Sequence, residues 1–191
     1  MTPEPAPTAY RLRPVLEDDA AAVLAAFRSA PDMARQGEVA DLGSARRYVA
    51  WLRADRRLAY AVTCDDAMVG LVGVTVDVAN RSGWVFYWMH ADHRGRGLTT
   101  RAVATVCDRL LAGALDRLEL GHRVDNPASG GVAVAAGFVV EGRERGKFLV
   151  DGERVDVLTY GRLVGDPASG LPPLEVDAAL DRAPASDTRR P

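Results

Sequence analysis

Along the chain the spacing of apolar side chains switches between two residues and three to four, which predicts alternating strands and helices. Tyr10 to Val15 reads as a first strand, and an alanine-rich helix follows from about Asp18 to Ser29, its acidic start suited to the helix dipole. Ser44 can cap a second helix that carries Tyr48, Val49 and Leu52 on one face. Leu58 to Cys64 and Met68 to Asp77 read as two strands joined by the polar turn Asp65-Asp66. Trp84 to His90 is a further strand, in which Trp84, Phe86 and Trp88 alternate with Val85, Tyr87 and Met89. That pattern describes a strand covered on both faces and favours core packing over an aromatic cage. Leu98, Ala102, Val103, Val106, Cys107, Leu110 and Leu111 then recur at the spacing of a buried helix face. Leu118 to Val124 is a strand, and Asn126 with Pro127 opens a short helix that Gly137 can end. Within that helix Gly130 and Gly131 each cost up to about 1 kcal/mol relative to alanine, or let the chain approach a ligand closely. Finally Lys147 to Val150 and Glu153 to Tyr160 flank Asp151-Gly152, a two-residue hairpin signal. The order β-α-α-β-β-β-α-β-α-β-β predicts an α/β (α+β) fold, a mixed sheet covered by helices.

Eight of the 11 prolines fall at the two ends of the 191-residue chain, which sets the expected boundaries. Residues 1–9 read as a tail, 10–163 as one domain, and 164–191 as a Pro/Ala/Asp-rich tail. The net charge of −2 belongs to the tails, because residues 10–163 carry 21 bases against 20 acids. Of the 24 basic residues only Lys147 is lysine. Arginine's planar fork suits phosphate, but without a long basic face the balance argues against nucleic acid as a partner. Cys64 and Cys107 lie in apolar stretches and read as reduced core residues. The N-terminus has neither a basic nor an apolar signal segment, and the longest apolar run, Ala67 to Val76, is too short for a bilayer. The expectation is a soluble cytoplasmic protein, monomer or homodimer, with no membrane partner.

The most informative stretch runs from His90 through Arg94-Gly95-Arg96-Gly97-Leu98-Thr99 to Arg101, between the aromatic strand and the amphipathic helix. Glycines there let the backbone pass close to a ligand, and the helix's first N–H groups are donors for phosphate oxygens. Arg94, Arg96 and Arg101 add positive charge. A tight turn with solvated arginines is the alternative. A Walker loop would need Gly-Lys-Ser/Thr, and a dinucleotide fingerprint a third glycine; neither is present.

Arg94-Gly-Arg-Gly97-Leu-Thr99 resembles the acyl-CoA loop of the GCN5-related N-acetyltransferases (GNAT), in the branch of the ribosomal-protein N-terminal acetyltransferases. Asn126-Pro-Ala-Ser129, Gly137-Phe138, Glu141-Gly142, Asp151-Gly152 and Val155-Asp156-Val157 extend the resemblance over about residues 10–163. The resemblance implies a mixed, mostly antiparallel central sheet splayed between the strands at about 84–90 and 118–124. It implies acetyl-CoA as acyl donor, its pantetheine arm against the backbone of Met89, His90 and Ala91. The pyrophosphate would lie on Gly95, Arg96, Gly97, Leu98 and Thr99 beside Arg94. Asn126 would fix the acyl side of the cleft, with Ser129 near the thioester sulfur.

The reaction this implies is direct acetyl transfer to a primary amine, either a protein N-terminal α-amine or a small molecule. A backbone N–H near Met89 to Ala91 would polarise the thioester carbonyl. Many relatives place a tyrosine seven residues after the asparagine as proton donor; here that position is Ala133, which leaves Ser129 or water. The strand Gly146-Lys-Phe-Leu-Val150 offers no carboxylate as base. His122 and His90 are the catalytic candidates beside Ser129, with Glu38, Asp41 and Asp92 as acidic alternatives. No metal site is expected. The two early helices, especially residues 30–45, and the terminal hairpin should form the acceptor pocket. The alternative is a non-catalytic acyl-CoA-binding or interaction module on the same fold.

Overall fold

A computed structural model describes residues 9–181; the expected N-terminal tail, all but its last residue, lies outside the described residues. Eight strands form one sheet in the order β6-β7-β5-β4-β3-β2-β1-β8. They are β1 Tyr10–Pro14, β2 Arg57–Cys64, β3 Ala67–Asp77, β4 Ser82–Met89, β5 Arg117–Arg123, β6 Val139–Val150, β7 Glu153–Leu163 and β8 Glu175–Val176. Among the described residues four α-helices cover it: α1 Ala20–Arg28, α2 Leu42–Leu52, α3 Leu98–Leu111 and α4 Pro127–Ala135. All neighbours are antiparallel except β4 with β5 and β1 with β8. The core has two halves. On one face α3 and α4 pack Val103, Val106, Leu110 and Ala133 against Val85, Met89, Leu118 and Leu120. On the other, α1 and α2 pack Val23, Phe27, Val49 and Leu52 against Leu71 and Trp88.

The parallel pair β4/β5 positions the site. Its ladder consists of Ser82↔Arg117, Gly83↔Leu118 and Trp84↔Glu119, after which the strands diverge. The splay lies where the resemblance implied. Sheet and helix order follow the apolar pattern, with three corrections. Asp41 rather than Ser44 is the N-cap of α2: its carboxylate accepts from Ser44 N–H at 2.7 Å, while Ser44 Oγ accepts from Asp41 N–H at 3.0 Å. The first strand of the terminal hairpin begins at Val139, not Lys147, so it contains Glu141 and Glu144.

The third correction concerns the end of the chain. Of the expected tail 164–191, residues 182–191 lie outside the described residues, and residues 164–181 are packed on the domain rather than hanging from it. β8 pairs with β1 through Arg11↔Glu175 and Leu12↔Val176, and Leu174 is buried in the α3 side of the core. Arg101 donates from Nε to Pro172 O at 2.9 Å and from Nη2 to Pro173 O at 3.1 Å. The buried Arg162 guanidinium bonds Asp108 and, at 3.4 Å, Pro167 O. Proline removes backbone donors, but its carbonyls remain acceptors, and these arginines use them.

Candidate active site

A cavity of about 710 Å³ opens where β4 and β5 part. It is bounded by the start of α3, the first turn of α4, the 3-10 turn at Pro31–Gln36 and the hairpin residues Phe148 to Val150. His90 N–H donates to Val69 O at 2.8 Å, so by strand alternation Val85, Tyr87 and Met89 turn their backbone polar groups away from β3, into the gap. Val124 N–H bonds Asp156 O at 3.0 Å, and the same alternation turns Gly121 and Arg123 toward β4. The gap thus has strand-like edges without a strand between them.

At its mouth the chain turns into α3 through two glycines in the left-handed region, Gly95 at φ +72° and Gly97 at φ +71°. Open space surrounds both α-carbons. Gly97 precedes the helix without a side chain to cap it, so the first helical N–H groups, those of Leu98, Thr99 and Thr100, have no intrahelical partner. Arg94 binds Met89 O through Nε at 2.9 Å and both oxygens of Asp32 through Nη1 at 3.0 Å. Arg96 donates to Tyr10 Oη at 3.1 Å and to Asp92 O at 3.1 Å. These arginines therefore hold the loop's shape. Arg101, expected beside phosphate, is the strap that holds the C-terminal segment.

The backbone donors expected at residues 89–91 reduce to one. His90 N–H is in the sheet, and Ala91 N–H donates to Ser29 Oγ at 3.0 Å, which leaves Met89 N–H facing the gap. The His90 ring folds back to accept from Asp92 N–H at 3.2 Å and does not line the cavity. Its role as base has no geometric support. His122 lines the cavity but is buried and fully engaged: Nδ1 lies 2.8 Å from Arg123 O and Nε2 3.0 Å from Tyr160 Oη. A carbonyl only accepts, so Nδ1 carries the hydrogen and Nε2 accepts from the tyrosine. Gly130 is what permits this pair, because a β-carbon there would sit 2.8 Å from His122 Nε2; Gly131 faces open space. Asn126 and Ser129 both line the cavity, and Asn126 spends no side-chain bond on capping α4. Ser129 Oγ lies 2.5 Å from the hydroxyl of Tyr87.

Residues 10–139 match the acetyltransferase (GNAT) domain family. The chain belongs to that family. A ribosomal-protein-serine acetyltransferase from Escherichia coli (strain K12) is 31% identical over 103 residues, 52% of this chain and 57% of that protein. The chain thus matches little more than half the length of that relative. Among solved structures, RimL, a ribosomal L7/L12 α-N-protein acetyltransferase in complex with coenzyme A, has a TM-score of 0.74. It is 22% identical, over 83% of this chain and 96% of that one. Mycobacterium smegmatis RimJ, bound to a CoA disulfide, has a TM-score of 0.68 and 27% identity over 83% of this chain and 86% of that one.

Two residues that line this GNAT cleft, Tyr87 and His93, and a hairpin carboxylate outside its lining, Glu144, escape the sequence reading. Tyr87 was assigned to packing, yet its hydroxyl meets Ser129 in the cavity. Glu144 lies in β6 opposite the buried Val157 and pairs with Lys147. His93 lines the cavity and shares a hydrogen bond between Nδ1 and the Tyr10 hydroxyl, 3.2 Å away; burial first, then His90 and Arg96, hold its pKa below the ordinary value. Trp88 Nε1 donates to Tyr48 Oη at 3.1 Å inside the core, while Trp84 and Phe86 also border the cavity. Both cysteines are free, and burial pushes the Cys107 thiol up to about 12.

Proposed function

We propose that this chain is an acetyl-CoA-dependent N-acetyltransferase that passes the acetyl group directly to a primary amine in a ternary complex. The observation that carries the proposal is the β4/β5 gap, edged by unpaired backbone groups and ending on the undonated N–H groups that follow Gly97. A pantetheine arm carries amides that complete such an edge, and a pyrophosphate suits a helix start. The bound coenzyme supplies the activated thioester. Met89 N–H is placed to polarise its carbonyl, a contribution worth roughly 10²–10³ in rate. Asn126 and Ser129 border the acyl end, with Ser129 as the hydroxyl toward sulfur.

The amine must reach the carbonyl uncharged, and neither histidine candidate is free to take its proton. Among carboxylates, Asp32 and Asp125 are held by Arg94 and Arg123. Among the carboxylates of the terminal hairpin we choose Glu144 of β6, which pairs with Lys147, with water carrying the proton between it and the amine. The 3-10 turn and residues Phe148 to Val150 flank the open side and form the acceptor pocket. The relatives named for ribosomal-protein acetylation support a peptide α-amine over a small molecule. We place the reaction in the cytoplasm; among the described residues no helix is long and apolar enough to cross a membrane.

The test is thiol release from acetyl-CoA over a panel of free-amine peptides and small amines, with calorimetric binding measured in parallel. Turnover that requires a free amine supports the enzyme. Acetyl-CoA binding without turnover on any acceptor would instead make the chain a binding module.

A further inference from the structure

The turn Pro31–Gln36 borders the open side of the cavity and is held to both lips of the split. In a 3-10 helix side chains three residues apart eclipse one another, so Asp32 and Arg35 share one face of the turn. Both line the cavity, while Met33 anchors the turn in the core at 1% exposure. Asp32 is held at the β4 lip, where Arg94 Nη1 donates to both of its oxygens at 3.0 Å. Ser29 Oγ, just before the turn, accepts from Ala91 N–H at 3.0 Å and ties the same side. Arg35 reaches toward the β5 lip, where its Nη2 lies 3.9 Å from Asp125 Oδ2, too far for a hydrogen bond. Asp125 is already taken by Arg123, from Nε at 2.9 Å and from Nη2. A pinned turn therefore presents Arg35 to the cavity, and among the described residues none of its donors is spent in a hydrogen bond.

The residues lining the cavity include three arginines, Arg35, Arg94 and Arg123, against one carboxylate, Asp32. Arg94 and Arg123 are neutralised by Asp32 and Asp125, so Arg35 is the charge left over. It lies beside the residue that precedes Asn126, at the acyl end of the gap. An amine that attacks the thioester carbonyl there brings its own first residues past Arg35. An extended peptide advances about 3.3–3.6 Å per residue, so its second and third residues are the ones that stay beside the turn. A guanidinium with a free fork binds a carboxylate through two parallel N–H donors. We propose that Arg35 is a specificity-determining residue, selecting acceptor peptides that carry an acidic side chain at the second or third residue. The inference rests on the reading of the chain as an acetyltransferase of peptide amines. The acceptor's carboxylate takes the place of Asp125 as the partner of Arg35, at hydrogen-bonding range. A cationic side chain in the same place meets an unpaired like charge and is rejected.

The probes are tetrapeptide amides with a free N-terminal alanine, with aspartate, asparagine or arginine at the second or third residue and glycine elsewhere. Amidation makes the aspartate their sole carboxylate. Thiol release from acetyl-CoA gives kcat/KM for each peptide on the full chain. The better aspartate peptide should exceed its asparagine counterpart by about fivefold to tenfold, as for a charge-assisted hydrogen bond partly screened by water, and its arginine counterpart by more. Arg35→Gln should bring the aspartate-to-asparagine ratio to about one. Arg35→Lys should keep part of the preference, and Arg35→Glu should invert the order in favour of the arginine peptide. Acetyl-CoA affinity within about threefold of wild type in all three variants shows that the cleft itself is intact. If aspartate gives no advantage at either position, or if its advantage survives Arg35→Glu, the proposal fails while acetyl transfer to peptide amines stands. If acetyl-CoA binds and no peptide is acetylated, the peptide-acceptor reading and this proposal fall together.

Discussion

Gly97 meets two demands at one position: a left-handed turn, and a helix start whose N–H groups face outward. Open space around its α-carbon separates them. Gly97→Ala should cost about 1–2 kcal/mol from the backbone conformation alone and still bind acetyl-CoA. Gly97→Glu should weaken binding by about a hundredfold or more, because like charges about 4 Å apart near a protein surface repel by roughly 4 kcal/mol. Thermal melting and calorimetry on the same samples give both numbers; equal affinity in the two variants would contradict a phosphate at this turn. The glycines were legible because a backbone requirement leaves its mark in the sequence itself. The arginines were not. Their charge is plain at positions 94, 96 and 101, but what they bind lies at Asp32, Tyr10 and Pro172, which nothing local reveals. His122 misled for the same reason, since the hydroxyl that occupies its Nε2 comes from Tyr160, 38 residues away.

Elements with a buried face were readable from periodicity, and those without one were not. α3 shows in the sequence through seven apolar positions, all of them buried. β6 did not: it is an edge strand, largely exposed, with register shifts at Val140/Gly142 and Glu144/Phe148 that break any two-residue alternation. Its first half was therefore passed over, and with it Glu144. The C-terminal segment hid behind its prolines, which mark tails by composition yet here supply carbonyls to Arg101. That assignment separates two roles for one side chain. Arg101→Ala should lower stability by about 1–2 kcal/mol, as expected for two lost hydrogen bonds, and leave acetyl-CoA affinity within about threefold. Denaturant unfolding and calorimetry check it. A large fall in affinity with unchanged stability would return Arg101 to the phosphate.

The whole molecule is a sheet split between two strands, with a helix start at the mouth of the split and a C-terminal strap across its far edge. The strap is part of the core: Leu174 is 4% exposed and its N–H donates to Thr105 Oγ1 at 3.0 Å. Leu174→Ala should cost about 2–5 kcal/mol, and a chain ending at residue 166 at least as much, measured as a fall in melting temperature. A truncated chain as stable as the full one would restore the boundary at 163. Fold and cleft were legible because the splay depends on the order of elements, which the apolar pattern preserves, and on a loop whose glycines stand together in sequence. Of the groups that handle protons only Ser129 was legible, because the others come from different elements and are assembled only in three dimensions. The central claim is that this split receives acetyl-CoA, and the most direct measurement is a crystal structure of the complex. The account predicts pyrophosphate oxygens within about 3.2 Å of N–H groups among residues 95–99, and the sulfur in contact with Ser129. A coenzyme seated elsewhere, or a sulfur far from Ser129, would contradict it.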